Sequence, residues 1–200
     1  MEQSLFELQM DMLKTPPTHV MGLNASTLNK DSIIISFDDG FLDTLEIAVP
    51  ILSERELPFT VFVAPGLLQS NDLQYLSKDS LKTLNKIEGC TIGAHGYSHR
   101  KLTGCNKYEL NNELKNSKEW LEDLLSESVN TMSYPHGAVD QRVQAAVQDA
   151  GYSFAASSRP GINSINYNPF QLNRTDTVSY THLRAHETDS YLVCRLLLEK

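Results

Sequence analysis

The chain has 200 residues, 40% of them hydrophobic, and carries a net charge of -8 with a pI near 5.2. A chain of this length can bury one substantial core, so we expect a single domain. The acidic balance argues against a nucleic-acid binder, and no run approaches the roughly 20 apolar residues of a membrane span. The first residues lack the basic and apolar regions of a signal peptide, so we expect a cytoplasmic location.

Short strands and helices alternate along the chain. The predicted strands are β-branched or aromatic runs at residues 33–37, 59–63, 90–94, 130–134, 152–156 and 170–172. The predicted helices have apolar residues at helical spacing and lie at residues 4–14, 41–55, 78–87, 106–125 and 140–150. This alternation implies a parallel β/α architecture, either an open sheet or a barrel.

Several residues mark the ends of these predicted helices. Pro50 must kink or interrupt the helix at 41–55. Gly89 is the predicted C-cap of the helix at 78–87. Asn106, with Glu109 three positions later, has the spacing of a capping box and predicts where the longest helix begins.

Two predicted strands end in side chains that can bind a metal. Asp38 and Asp39 follow one of them, and His95 and His99 follow another. Because the carboxyl ends of parallel strands meet on one face, we expect a single site there. One carboxylate and two imidazoles suit a divalent metal that keeps an open position for water. This ligand set indicates a hydrolase.

Neither of these motifs is specific by itself. An acidic pair before Gly40 is common in turns. Histidines four residues apart, such as His95 and His99, are as readily two satisfied surface or core histidines. The hypothesis rests on both motifs following buried strands.

A third motif, at residues 134–137, leads to a family resemblance. The motifs at 36–40, 95–99 and 134–137, in this order, resemble those of the polysaccharide deacetylases of the NodB-homology type, carbohydrate esterase family 4. The resemblance covers nearly all of residues 4–176. It implies an α/β fold, a distorted (β/α) barrel that is incomplete at its C-terminus. It also implies a metal-dependent hydrolase that removes acetyl groups from N-acetylated sugars.

The resemblance assigns a role to each residue of the first two motifs. Asp38 is implied to be the catalytic general base. Asp39, His95 and His99 are implied to bind one divalent metal ion, for which we expect Zn²⁺, with other divalent transition metals as the alternative. Asp38 and Asp39 cannot play equal roles, because adjacent side chains at a strand end point in different directions.

The third motif is implied to form part of the substrate groove. The predicted substrate-binding residues here are Tyr134, Pro135, His136 and Gly137, with the backbone N–H of His136 donating to the oxyanion. Tyr97 lies between the two histidine ligands and is a further candidate for contact with the sugar. We interpret the side chain of His136 as lining the groove, where the family usually has a tyrosine.

The chain also departs from the family pattern in three further places. Ser133 stands where the family often has an arginine that orients the catalytic aspartate. Arg174 is a candidate for the missing guanidinium, and a solvated surface arginine is the alternative. The family's Asp-x-x-Asp-Trp motif and its late histidine, a general acid, are not visible.

The last segment differs in character from the rest. Residues 178–183 read as a translation of the sequencing adapter GTC TCT TAT ACA CAT CT, and residues 192–199 match the distal adapter in the same frame. We therefore expect a truncated deacetylase domain at 1–177 and a non-native tail at 178–200, so that the histidines of the tail carry no function. A chain truncated in this way is expected to be impaired as an enzyme.

The cysteines indicate neither a metal site nor a disulfide framework. Cys90, Cys105 and Cys194 form no CxxC pair and are odd in number, so we expect free reduced thiols.

Our leading hypothesis is a sugar N-deacetylase with an acetylated glycan as its partner. A degenerate carbohydrate-binding module on the same scaffold is the alternative from another class. A third possibility keeps the scaffold but cleaves an O-acetyl ester or a non-sugar amide.

Overall fold

A computed structural model describes residues 3–14, 19–23, 32–163, 166–176 and 194–197. The described strands are β1 (His19–Val20), β2 (Ser32–Phe37), β3 (Phe59–Val63), β4 (Cys90–Ala94), β5 (Thr131–Ser133), β6 (Phe154–Ala156), β7 (Thr175–Asp176) and β8 (Cys194–Leu197). The α-helices are α1 (Gln3–Leu13), α2 (Val49–Glu54), α3 (Pro65–Leu68), α4 (Lys78–Asn85), α5 (Lys107–Leu125) and α6 (Gln141–Asp149). Most predicted elements are confirmed within one or two residues.

The strands form one sheet in the order β6-β5-β4-β3-β2-β8-β7, with β1 paired to β2. Strands β1 to β6 run parallel, and together with the helices they form a curled α/β half-barrel. Strand β8 is antiparallel to both β2 and β7. The predicted parallel β/α architecture is therefore confirmed. The adapter origin of residues 178–200 stays a prediction.

The central strands are buried on both faces, as expected for parallel strands covered by other layers. Every residue of β2 and of β3 is buried. On one face, Phe37 packs edge to face against Phe6 of α1 and Phe59 of β3, with ring centroids 6.3 and 6.2 Å apart. On the other face, Ile34 and Phe62 belong to a smaller apolar cluster. This double burial anchors the carboxyl ends of the strands.

Most of the predicted helix boundaries agree with the structure. Pro50 interrupts the predicted helix, because a π-helical turn at Thr44–Ala48 gives way there to α2. The predicted capping box of α5 is present, with the backbone N–H of Glu109 donating to Asn106 and the reverse bond from Asn106 to Glu109.

Two predicted boundaries were wrong. Helix α4 ends at Asn85, and Gly89 lies beyond it, in the turn before β4, with φ +80°. A Cβ on Gly89 would lie 3.2 Å from the backbone of Pro58, so close backbone approach requires glycine there. The strand predicted at 170–172 is instead a single parallel bridge between Leu172 and Ala156.

Parallel pairing places the ends of β2, β4 and β5 on one edge of the sheet. Ala94, the last residue of β4, pairs with Met132 of β5. His95 and Ser133 follow them and are therefore neighbours. Among the described residues, no helix is both long and apolar enough to cross a bilayer.

Candidate active site

The structure brings the three predicted metal ligands together at this edge. The Oδ1 atom of Asp39 lies 3.2 Å from Nε2 of His95 and 2.9 Å from Nε2 of His99. One ligand atom from each residue lies within 4.8 Å of the other two. These three donors, a carboxylate and two imidazoles, are a set that binds zinc and similar divalent ions.

The orientation of His95 shows that the three donors fit a cation. Its Nδ1 lies 2.8 Å from the backbone carbonyl of Ser133, which can only accept, so this nitrogen carries the proton. In the neutral ring the Nε2 lone pair then faces Asp39. Imidazole ligands of metals usually donate their other ring N–H in this way.

The buried Oδ1 of Asp39 supports the same conclusion. Within the described part of the chain, it has no hydrogen bond of acceptable geometry, although two imidazole nitrogens lie close to it. Lone pairs that face one another repel unless a proton or a cation lies between them. The group therefore has the chemistry of a metal site, and an open position would remain for water.

Electrostatics at this edge also favour a positive ion. Burial would lower the pKa of His95, but the nearby carboxylates of Asp38 and Asp39 hold that pKa above its ordinary value. Burial would raise the pKa of Asp39, but its contacts with His95 and His99 hold it well below the usual range. The two carboxylates thus create a negative potential that a proton or a metal ion can neutralise.

Three site residues have left-handed backbone conformations. The φ angles are 71° at Asp39, 59° at His99 and 58° at His136. Such conformations cost about 1–3 kcal/mol each and persist where surrounding contacts enforce them. The left-handed Asp39 follows Asp38 directly, and the two acids face different partners, His95 and His99 for Asp39 and Arg174 for Asp38.

Arg174 holds the predicted general base. Its Nη1 donates to Oδ1 of Asp38 at 2.8 Å and its Nη2 to Oδ2 at 2.6 Å, while Nε donates to the Ser157 carbonyl. Arg174 is only 1% exposed, so the alternative of a solvated surface arginine was wrong. The guanidinium that the family often takes from the third motif comes here from a later segment.

Ser133 connects the predicted base with a predicted ligand. Its hydroxyl donates to Oδ2 of Asp38 at 3.2 Å, and its carbonyl accepts from Nδ1 of His95. Burial would raise the pKa of Asp38, but the charges of Arg174 and His95 hold it below its ordinary value. Asp38 is therefore an ionised carboxylate at neutral pH, able to accept a proton.

The third motif divides between the core and the surface. Tyr134 is fully buried and its hydroxyl donates to the Phe170 carbonyl at 2.8 Å, and Pro135 is buried beside it. Neither side chain is accessible to a sugar here, so both pack in the interior at the strand end. That Tyr134 and Pro135 belong to the substrate groove stays a prediction.

His136 and Gly137 lie at the surface edge of the same motif. The exposed ring of His136 lies 4.6 Å from that of His99, and its Nε2 lies 3.2 Å from the His99 carbonyl. A Cβ on Gly137 would lie 2.6 Å from Ser158, so only glycine fits this turn. Half-buried Tyr97 accepts a hydrogen bond from Gln69. His136, Gly137 and Tyr97 remain candidates for substrate contact.

The sequence reasoning missed two buried polar residues of α5, Glu113 and Ser117. Both contact the loop between the two histidines. The buried stripe of this helix runs through Leu110, Leu114 and Leu121, and positions 113 and 117 fall on the same face. The position of Glu113 on an otherwise apolar helix face is the sequence feature that could have indicated a buried hydrogen-bond partner.

Comparisons with known proteins agree with this geometry. The sequence model of the family described as polysaccharide deacetylase matches residues 25–155. The chain is 24% identical over 142 residues to YxkH of Bacillus subtilis (strain 168), which covers 71% of this chain and 50% of YxkH. It is 25% identical over 190 residues to the poly-beta-1,6-N-acetyl-D-glucosamine N-deacetylase of Staphylococcus aureus (strain MRSA252), covering 86% of this chain and 66% of that enzyme. The chain thus spans about half to two thirds of the length of these relatives.

A solved structure shares the fold. The deacetylase PplD of Streptococcus pyogenes, determined in complex with acetate, superposes with a TM-score of 0.79 at 22% sequence identity. The match covers 86% of this chain and 80% of PplD. The half-barrel described above is therefore the arrangement found in that deacetylase.

Proposed function

Because this chain belongs to the polysaccharide deacetylase family, we propose that it hydrolyses the acetamido group of an N-acetylated sugar with the help of one divalent metal ion, Zn²⁺. The observation that carries the proposal is the convergence of Asp39, His95 and His99 beside a second carboxylate, Asp38, that is paired with Arg174. If Asp38 and Asp39 were only turn residues, neither the nearby histidines nor the buried arginine would be needed.

The proposed roles follow from the donor set. A divalent ion held by Asp39, His95 and His99 would supply Lewis acidity, which activates water and polarises an acetyl carbonyl. The chain itself supplies the orientation of the ligands. His95 keeps its proton on Nδ1 through the Ser133 carbonyl, so Nε2 remains available as a donor to the ion.

Asp38 is the proposed general base. It precedes Asp39 directly in the chain, and its carboxylate is 9% exposed. Arg174 occupies both carboxylate oxygens, which fixes the plane of the acid and keeps it ionised. A base in this state can take a proton from the attacking water as the carbon–oxygen bond forms.

We propose that Tyr97, His136 and Gly137 contact the substrate. His136 is exposed and Tyr97 half-buried, and both lie next to the ligand His99 in space or in sequence. The backbone N–H of His136 is the proposed donor to the developing oxyanion. The name of the Staphylococcus aureus relative suggests a β-linked N-acetylglucosamine oligomer as the first substrate to test.

Arg174 speaks against the alternative of a pure binding module. That hypothesis was motivated by the absence of an arginine beside the base and of the late histidine, and Arg174 provides the guanidinium. A binding module also has no need for a carboxylate that is oriented by two hydrogen bonds and lies beside a cation site.

Acetate release tests the proposal. The purified chain, loaded with Zn²⁺, is expected to release acetate from a β-1,6-linked N-acetylglucosamine oligomer, but slowly, because the family's late histidine is not among its residues. Asp38→Asn is expected to lower that rate by about 100-fold or more while it leaves zinc binding intact. Equal rates for the two proteins would overturn the assignment of the base. Release from an O-acetylated sugar but from no N-acetylated one would overturn the substrate class.

A further inference from the structure

The loop between the two histidine ligands is held by a buried carboxylate. Oε2 of Glu113, in α5, accepts the backbone N–H groups of Tyr97 and Ser98, each at 2.9 Å. Oε1 accepts the Ser98 hydroxyl at 2.6 Å. Glu113 is only 8% exposed, so water competes weakly for its carboxylate.

The carbonyls of the same loop are held from two other directions. The hydroxyl of Ser117, one turn further along α5, donates to the carbonyl of Gly96 at 2.9 Å. The backbone N–H of Gly66, in α3, donates to the carbonyl of Tyr97 at 2.7 Å. A Cβ on Gly66 would lie 2.9 Å from that carbonyl, so the contact is close as well as hydrogen-bonded. The loop is thus clamped between two helices.

The two histidines are therefore positioned by different means. His95 is fixed by the end of β4 and by the Ser133 carbonyl. His99 lies after the loop, in a left-handed conformation with φ 59°, and reaches Asp39 only because the loop turns there. The position of the His99 side chain therefore depends on the contacts that hold residues 96–98.

We propose that Glu113 is a positioning residue of the metal site. Its three hydrogen bonds to Tyr97 and Ser98 set the place of the His99 imidazole, although Glu113 touches neither the ion nor the substrate. The inference rests on the metal site of the proposed function and deepens it. It predicts that zinc affinity depends on a residue that is not a ligand.

The mechanism is hydrogen bonding, and glutamine tests this directly. In Glu113→Gln the side-chain carbonyl can accept both backbone N–H groups, while the amide donates to the Ser98 hydroxyl. All three bonds can therefore be kept without the negative charge. Glu113→Ala removes all three, and Ser98→Ala removes one.

The experiment measures the Kd for Zn²⁺ of the full chain by competition with a chromophoric chelator, together with the absorption spectrum of the Co²⁺-substituted protein. Glu113→Ala is expected to weaken zinc affinity about 10- to 100-fold, the range seen when support of a metal ligand is lost. Ser98→Ala is expected to weaken it about 2- to 10-fold. Glu113→Gln is expected to stay close to wild type.

Glu122→Ala is the matched control. Glu122 lies on the same helix and accepts the backbone N–H of Val129 and the Lys118 ammonium, each at 2.9 Å, without contact to the ligand loop. It should lower the melting temperature while leaving zinc affinity and the Co²⁺ spectrum unchanged. If Glu122→Ala lost as much zinc affinity as Glu113→Ala, general destabilisation would explain both losses. That result would overturn the inference.

The remaining outcomes separate this inference from the proposed function. If wild type binds zinc and both Glu113→Ala and Ser98→Ala bind it equally well, the positioning role is wrong and the metal site stands. If Glu113→Gln loses as much affinity as Glu113→Ala, the charge acts rather than the hydrogen bonds, and the inference is also wrong. If wild type binds no zinc, the inference fails together with the metal site. If Glu113→Ala does not fold, Ser98→Ala and Glu113→Gln decide alone.

Discussion

The guanidinium of Arg174 binds both carboxylate oxygens of Asp38, a residue 136 positions earlier in the chain, at 2.8 and 2.6 Å. The pair is buried, with side-chain exposures of 0% for Arg174 and 9% for Asp38. Two parallel hydrogen bonds fix the plane of the carboxylate as well as its charge. The proposed base is therefore oriented by a segment remote from its own strand.

Removing this guanidinium should damage both activity and stability. Arg174→Met leaves a buried carboxylate without a counter-ion, which typically destabilises a protein by about 3–5 kcal/mol. Acetate release should fall about 100-fold or more. Without Arg174, Asp38 is no longer held in one orientation, and the positive charge that lowers its pKa is gone. Urea unfolding and initial rates of acetate release measure the two effects.

Arg142→Met is the control for Arg174→Met. Arg142 donates to the carbonyls of Cys105 and Thr103 but is 46% exposed and lies away from Asp38. Arg142→Met should keep most of the acetate-release activity and lose less unfolding free energy than Arg174→Met. Comparable losses of acetate release in the two variants would contradict a special role for Arg174.

The Asp38–Arg174 pair also predicts a pH dependence of stability. The pKa of Asp38 is lower in the folded chain than in the unfolded one, so the unfolded chain binds more protons in acid. The contribution is complete above about pH 5 and is lost as the pH falls through the ordinary aspartate pKa of about 4 and below it. Between pH 5.5 and pH 3, wild type should therefore lose more of its free energy of unfolding than Asp38→Asn does. If urea titrations showed equal losses of unfolding free energy in wild type and Asp38→Asn, the lowered pKa of Asp38 would be contradicted.

Tyr134→Phe tests whether this residue packs in the interior or binds substrate. Loss of the hydrogen bond to the Phe170 carbonyl should lower the free energy of unfolding by about 1 kcal/mol, because a partly buried carbonyl loses its donor. KM for the acetylated oligomer should not change, since the side chain is inaccessible. Tyr97→Phe, at a half-buried position beside the ligands, serves as the comparison. A raised KM for Tyr134→Phe would indicate that Tyr134 binds substrate.

The thiol of Cys90 should be unreactive in the folded protein. Burial, together with the charge of Glu127, raises its pKa to about 12, so little thiolate exists near pH 8. Peptide mass spectrometry after iodoacetamide treatment should find Cys90 unmodified in buffer and modified in urea. Rapid modification in buffer would show that the end of α4 and the start of β4 open far more readily than this packing implies.

The sequence predicted the strands and the metal ligands because both depend on local patterns. Apolar runs such as residues 33–37 give the strands, and parallel pairing then forces Asp39 and His95 onto one edge. Strands β2 and β4 both pair in parallel with β3, which lies between them, so their carboxyl ends meet at one edge. The strand pattern thus predicted one site, and the family resemblance then assigned Asp39, His95 and His99 as its ligands.

Other features depend on contacts between distant segments. Whether Arg174 reaches Asp38 or solvent is decided by how the segment after β6 returns to the sheet, and no local pattern shows that path. The residue after a strand end can face the core or the groove, and the burial of Tyr134, with its bond to the Phe170 carbonyl, depends on the distant segment at residue 170. The role of Glu113 required the packing of α5 against the histidine loop.

The most direct test of the account is the zinc content of the purified chain compared with that of Asp39→Ala, measured by mass spectrometry of the metal after exhaustive dialysis. Asp39 contributes the carboxylate that faces both imidazoles, at 2.9 and 3.2 Å. The account predicts about one zinc per wild-type chain and almost none in Asp39→Ala, while both chains remain folded. A folded Asp39→Ala chain that kept one zinc would contradict it.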